Sequence, residues 1–137
     1  MAIFRLATAP LGVMAAALIT DLDGASTPWY AEVYAGAIPA SPSVALSGQT
    51  KLGTVVGSAD PSATNSGGLI TFNPMVQDDA ADASGEAAFM RIFKGDGSVW
   101  ADADCGDLAS SATAKLNTTT IVAGGPIRIN AFTIQIG

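Results

Sequence analysis

Acidic side chains are concentrated in one stretch of the chain, and cation binding is the chemistry that closely spaced carboxylates could perform. Eight of the twelve acidic residues lie from Asp78 to Asp107. Ca²⁺ binds carboxylate oxygens, but a calcium loop also needs ligands and a glycine at fixed positions. Counted from Asp102, Gly106 stands where a ligand belongs, and Asp107 takes the place of the glycine. The spacing favours solvated turns over a metal site, and it leaves open whether these loops hold a cation.

Asp102 and Asp104 could also perform general acid–base chemistry as a pair. They lie two positions apart in a predicted strand, so both side chains point to the same side, about 7 Å apart. Paired carboxylates carry such chemistry in glycosidases, but nothing in the sequence supplies an apolar pocket or a partner for them. Alternation with Val99, Ala101 and Ala103 instead predicts that both carboxylates lie on the wet side of a half-buried strand.

Nucleophilic catalysis lacks its usual components. The sequence contains no histidine, which removes the commonest general base and every Ser-His or Cys-His dyad. The single cysteine, Cys105, excludes a disulfide within the chain, and its aspartate neighbours disfavour the thiolate, so we expect a buried or turn thiol. Neither glycine pair opens a predicted helix, so a phosphate cradle is unsupported. The sequence therefore predicts a binding or structural protein without a cofactor, and not an enzyme.

The composition describes one domain of moderate size. The chain has 137 residues, of which 49% are hydrophobic and only 13% are charged, with a net charge of −6. That amount of apolar surface argues against disorder, and the negative charge disfavours nucleic-acid binding. The longest apolar run, residues 11–19, is too short to span a membrane, which needs about 20 residues. A secretory signal is disfavoured because Pro10 and Gly12 interrupt the run and Asp21 follows it.

One helix is predicted, over residues 10–22. Pro10 suits the first turn, the alanines favour helix, and Gly24 suits the stop. Apolar residues form two stripes on this helix, one through Val13 and the other through Leu11. A helix that is apolar on two sides needs cover on two sides, and a second subunit would supply one of them.

Strand patterns dominate the chain after residue 28. Short runs rich in β-branched and aromatic residues alternate with turn residues, and the glycines of residues 95–97 mark the clearest hairpin. The spacing of about 8–12 residues predicts an antiparallel β-sandwich. The predicted strands cover residues 29–35, 52–56, 69–75, 87–94, 98–104, 118–123 and 127–136.

Three aromatic residues, Trp29, Tyr30 and Tyr34, fall in the first predicted strand. Alternation places Trp29 on one face and the two tyrosines on the other. Packing within the sheet is the favoured interpretation. Among functional interpretations a protein interface is favoured, because the six basic residues are scattered and form no groove for nucleic acid.

Three segments carry a resemblance to a known family. They are AEVYAGAIPASP at residues 31–42, DDAADASGEAAFMRI at residues 78–92, and KLNTTTIVAGGPIRINAFTI at residues 115–134. With the order of the remaining pieces, the chain resembles small virion proteins of tailed phages. It is most similar to the jelly-roll capsid cementing (decoration) proteins, such as that of short-tailed Bordetella phages.

The resemblance implies a fold and a role. The fold is an all-β antiparallel sandwich of jelly-roll type in a single domain, with a helix or arm over residues 1–27 and the sandwich over residues 28–137. The role is to bind the outer surface of an icosahedral shell, after synthesis in the host cytoplasm, and to brace neighbouring major capsid subunits. The expected partners are the major capsid protein and further copies of this chain, a dimer being favoured over a trimer, with no nucleic acid and no membrane.

Excess apolar character selects the candidate contact residues for capsid or a second copy. Two alternatives stay open, namely a phage tail or tail-fibre structural subunit and a carbohydrate-binding β-sandwich. The candidates are Ile3, Phe4, Leu11, Met14 and Leu18 in the N-terminal segment, and Trp29, Tyr30 and Tyr34 in the aromatic strand.

Overall fold

A computed structural model describes residues 2–136, which form one α-helix and ten β-strands. The helix, α1, spans Thr8–Asp23 and the strands follow it in the chain. The strands are β1 (Tyr30–Ala35), β2 (Thr50–Val56), β3 (Ala63–Ser66), β4 (Leu69–Phe72), β5 (Gly85–Glu86), β6 (Phe89–Phe93), β7 (Val99–Asp107), β8 (Ala114–Leu116), β9 (Thr120–Ile121) and β10 (Ile129–Gln135).

Eight of these strands form one curled sheet, in the order β2-β1-β6-β7-β8-β10-β4-β3, and β5 pairs with β9 separately. Neighbours are antiparallel except β7 and β8, which are parallel. Aromatic contacts show the curl. Trp29, directly before β1, lies 5.6 Å from Phe72 in β4, ring to ring, although four strands separate β1 from β4 in the sheet. Phe72 also stacks on Phe132 at 4.3 Å. The prediction of a mostly β domain with one N-terminal helix is confirmed.

The helix packs one face against the sheet near β3 and β4. Ala15 and Leu22 are buried, and Leu18 and Ile19 are partly buried beside them, which is the spacing of one helical face. The predicted span of residues 10–22 agrees with the observed one to within two residues. The opposite face contributes nothing to the core.

The hairpin between β6 and β7 forms as predicted. Gly97 adopts a φ of +89°, a conformation that a side chain disfavours, and its N–H donates to the Lys94 carbonyl at 2.8 Å. Asp96 supports the turn by accepting the Ser98 N–H at 2.9 Å. This hairpin aligns β6 and β7, so that Arg91 lies opposite Asp102.

Three short strands differ from the prediction. β3 lies in a stretch expected to be loop, and β5 and β8 were also not predicted. β3 has the sequence ATNS, which has little strand character, and it forms because a tight turn at Gly67 and Gly68, both with positive φ, folds it onto β4. β7 extends to Asp107, and Gly106 lets the next loop lie against the strand, because a Cβ there would collide with Ser110.

Candidate binding surfaces

Asp102 and Asp104 of β7 have different surroundings, and the prediction that both are solvated is wrong for Asp102. Its side chain is 6% exposed and accepts hydrogen bonds from Arg91 Nε at 2.7 Å and Arg91 Nη2 at 3.0 Å. The Arg91 side chain is 5% exposed. Asp104 is exposed as predicted, and hydrogen bonding from the Thr113 side chain, followed by the Thr113 N–H at 3.0 Å, lowers its pKa.

A loop covers the sheet face on which Asp102 lies. Arg91 Nη1 donates to the Val44 carbonyl at 2.9 Å, which holds the segment between β1 and β2 over strands β6 and β7. The Arg91 guanidinium therefore pairs with the buried Asp102 carboxylate and also holds the loop between β1 and β2 in place. This arrangement has a structural role. It offers no free acid or base for catalysis.

Two further acidic side chains of this region, Asp78 and Asp107, accept hydrogen bonds from backbone N–H groups. Asp78 accepts the Thr54 N–H at 2.9 Å and the Ala80 N–H at 3.0 Å, and Asp107 accepts the Ala109 N–H at 3.0 Å. Within residues 2–136 no three histidine, cysteine or acidic side chains lie close enough together to hold a metal ion. These carboxylates act as local acceptors that shape the loops between strands.

The thiol of Cys105 is partly enclosed against the core. Burial, followed by the nearby charge of Asp104, raises its pKa to about 12. A thiol with such a pKa is protonated at neutral pH and is a poor nucleophile or metal ligand. The sequence predicted a buried or turn thiol, and Cys105 is half-buried within β7 and not in a turn.

Two of the three aromatic candidates, Trp29 directly before β1 and Tyr34 within it, belong to the interior, which corrects their assignment as contact residues. Trp29 is 1% exposed, and its Nε1–H donates to the buried Ser62 hydroxyl at 2.9 Å. Tyr34 is buried against Phe89, with ring centroids 5.3 Å apart. Tyr30 stacks on Phe93 at 5.1 Å and keeps part of its surface accessible.

The N-terminal candidates divide into exposed and half-buried groups. Ile3 and Phe4 lie in the segment before α1 and are 73% and 84% exposed. Met14 is also exposed, whereas Leu11 and Leu18 are half-buried. This distribution leaves an apolar surface at the N-terminal end of the chain.

An open cavity of about 660 Å³ lies between α1 and the inner face of the sheet. Leu18 of α1 forms part of its wall, and the ion pair between Lys94 and Asp21 (3.3 Å) lies at its edge. Its apolar lining includes Leu18, Ile92, Trp100, Ala101, Phe132 and Ile134.

Trp100 lines this cavity and is a residue that the sequence analysis did not single out. Strict alternation places it on the same side as Asp102. The pairing of β6 with β7 shifts register here, since Ile92 pairs with Ala101 and Phe93 with Val99, so Trp100 has no partner opposite. The bulge allows the indole to line the cavity. No pattern of residues in β7 indicates this register shift.

Comparisons with known proteins were made against protein-family models, curated proteins and solved structures, and none of the three gave a match. A search of the described helix for a membrane-spanning segment was negative, since α1 has only 16 residues.

Proposed function

We propose that this protein decorates the outer surface of an icosahedral phage shell and braces neighbouring major capsid subunits, and that its curled sheet is of the jelly-roll class. Two observations support the proposal. Three segments of the sequence resemble the capsid cementing proteins, and the structure has a strongly apolar N-terminal surface. A binding role needs such a surface, whereas none of the side chains described above is arranged for catalysis.

The exposed face of α1 is the observation that carries the proposal. One face of the helix packs on the sheet, while Val13 on the opposite face is 70% exposed and Met14 at the flank is 45% exposed. Arg5 is the only charged residue among residues 2–20, in a chain whose net charge is −6. The protein thus has a nearly uncharged apolar end and an acidic remainder.

This division of charge suits a protein that binds a shell. Exposed apolar patches mark sites of protein association. The acidic remainder, facing solvent, keeps a heavily decorated particle soluble by mutual repulsion. Each copy contributes a modest interface, and many copies together resist the outward force of packaged DNA.

Binding to undecorated shells tests the proposal. Purified protein is mixed with such shells and sedimented, and the shells are then heated with and without it. We expect saturable binding near the number of capsid subunits and a higher temperature of shell disruption. The double variant V13S/M14S is expected to weaken binding at least tenfold, whereas V122S, which changes another exposed valine, leaves it intact. No binding at high protein concentration would overturn the proposal.

The two alternative functions, tail subunit and carbohydrate-binding protein, are distinguished by copy number per particle and by tryptophan fluorescence. A tail or tail-fibre subunit is present in few copies per particle, whereas a shell protein is present in many. A carbohydrate-binding protein would change its tryptophan fluorescence on addition of glycans, and half-buried Trp100 is the residue that would report it.

A further inference from the structure

The N-terminal arm, residues 2–7, is an apolar segment without cover. Every one of its residues is exposed, and it forms neither helix nor strand. Phe4, at 84% exposure, presents almost its whole ring to water, and Ile3 and Leu6 flank it in the sequence. Water-exposed apolar residues adjacent in a chain indicate a surface that another molecule covers.

The cavity beside α1 offers the matching apolar space. Its volume of about 660 Å³ lies within the range of roughly 300–1,000 Å³ typical of binding pockets. Trp100 and Phe132 supply two aromatic surfaces, and aliphatic side chains of α1, β6 and β10 complete the wall. An aromatic ring entering this space would meet edge or face partners on two sides.

The charges of the arm and of the cavity rim also favour binding of the arm in the cavity. Arg5 is the only charge of the arm. At the edge of the cavity lies Asp21, and Asp96 lies with it around an adjoining hollow, together with Lys94. Two carboxylates against one ammonium leave a net negative rim, which attracts a guanidinium.

The arm of the same copy cannot bring Arg5 to the rim of the cavity. Asp21 lies thirteen residues beyond Thr8, which is about 20 Å along a helix. Arg5 lies three residues before Thr8, so its backbone reaches at most about 11 Å from Thr8, even when fully extended. The Arg5 backbone would therefore stop about 9 Å short of Asp21, and we assign the arm to a second copy.

We propose that the arm of one copy fills the cavity of a second copy, with Phe4 against Trp100 and Phe132 and with Arg5 at Asp21 and Asp96. If each copy inserts its arm into the cavity of the other, the same arm–cavity contact forms twice and the two copies make a symmetric dimer. The exposed face of α1, with Val13 and Met14, stays free for the shell. The exchange does not depend on shell binding, so either proposal can fail alone.

Sedimentation velocity of the full chain without shells tests the exchange. We expect a dimer for the wild type. F4S is expected to raise the dimer dissociation constant by about 100-fold or more, because two phenylalanines leave the interface at once. A101F, which adds a ring to the cavity wall, is expected to do the same, and V122S serves as the control. A wild type that stays monomeric, or a dimer that survives both variants, would overturn the proposal.

Mixing the two variants distinguishes arm exchange from other modes of dimerisation. F4S keeps an intact cavity and A101F keeps an intact arm, so the mixture can form one of the two contacts. Native mass spectrometry should show a heterodimer where each variant alone is monomeric. Absence of the heterodimer, with both variants folded by circular dichroism, counts against the exchange.

A peptide provides a test that does not require A101F to fold. The hexapeptide AIFRLA, with the sequence of residues 2–7, is titrated into F4S while tryptophan fluorescence is recorded. Saturable change is expected with this peptide and not with AISRLA. Equal effects of both peptides, or a response to oligosaccharides and not to AIFRLA, would assign the cavity to another ligand and overturn the proposal.

Discussion

Arg91 and Asp102 face each other across β6 and β7, joined by two hydrogen bonds of 2.7 and 3.0 Å, with both side chains almost fully buried. The remaining guanidinium N–H groups reach the carbonyls of Val44 at 2.9 Å and Ser41 at 3.5 Å. A hairpin and a long loop are thus fastened at one point. The outer face of the central strands is covered by this loop and not by a second sheet.

Removal of one member of this pair is expected to be strongly destabilising. R91M leaves the Asp102 carboxylate buried without its partner, and D102N leaves the guanidinium charge uncompensated. We expect each change to lower the free energy of unfolding by about 3–5 kcal/mol, because a lone buried charge costs several kcal/mol. Urea denaturation followed by circular dichroism measures the loss.

An exposed ion pair supplies the control. Lys51 and Glu32 lie 3.0 Å apart with the lysine well exposed, so K51M should cost about 0–1 kcal/mol. The double variant R91M/D102L should be less destabilised than R91M, because no buried charge remains. Equal decreases in the free energy of unfolding for K51M and R91M would show that the buried ion pair contributes no more to stability than the exposed one.

Local patterns predicted the elements that local chemistry determines. The helix, the strand at Tyr30–Ala35 and the hairpin at Gly97 follow from helical periodicity, alternation and a turn that requires positive φ. β5 and β8 could not be predicted, because β5 pairs with a strand distant in sequence and β8 needs a close approach that only Gly106 allows. β3 was missed because its sequence, ATNS, has little strand character, although it pairs with the neighbouring strand β4.

The candidate surfaces were less predictable than the fold. Alternation placed Asp102 correctly opposite the inner face, but only the tertiary structure shows that a loop covers that outer face. Ile3 and Phe4 were selected for their apolar character, and the structure places both at the surface. Trp29 could not be separated from an interface tryptophan by sequence, since its burial depends on Phe72 and Ser62, both more than 30 residues away.

The hydrogen bond from Trp29 to Ser62 makes a measurable contribution to stability. S62A leaves the indole N–H without an acceptor in a site closed to water, and we expect a loss of about 1–3 kcal/mol. S43A changes an exposed serine and should be neutral. Thermal denaturation compares the two, and an S62A melting temperature equal to that of the wild type would contradict the role assigned to this bond.

Substitution by alanine is expected to have opposite effects on stability at two glycines, Gly12 and Gly57. A Cβ at Gly12 in α1 meets only Asn65 Oδ1, at 3.5 Å, so G12A should stabilise the protein by about 0.5–1 kcal/mol through helix propensity. A Cβ at Gly57 would collide with the ring of Trp29, so G57A should destabilise it by about 1–3 kcal/mol. The midpoints of urea unfolding test both, and stabilisation by G57A would show that the Trp29 ring is not held as described.

The raised pKa of Cys105 makes stability depend on pH in the alkaline range. The folded protein keeps the thiol protonated up to a pKa of about 12, whereas an unfolded cysteine ionises near pH 8.5. The stabilisation is therefore fully present below pH 8.5 and is lost as the pH rises toward 12. Between pH 8 and 10 we expect a decrease of about 2 kcal/mol in the free energy of unfolding from this group.

The variant C105A isolates this contribution, because it removes the thiol and leaves every other titrating group in place. Its stability should fall less steeply between pH 8 and 10 than that of the wild type. The native thiol should also react slowly with a disulfide reagent at pH 8, and addition of denaturant should restore rapid reaction. Parallel pH profiles for the two proteins, or rapid labelling of the native chain, would show that Cys105 is accessible and that burial does not control its ionisation.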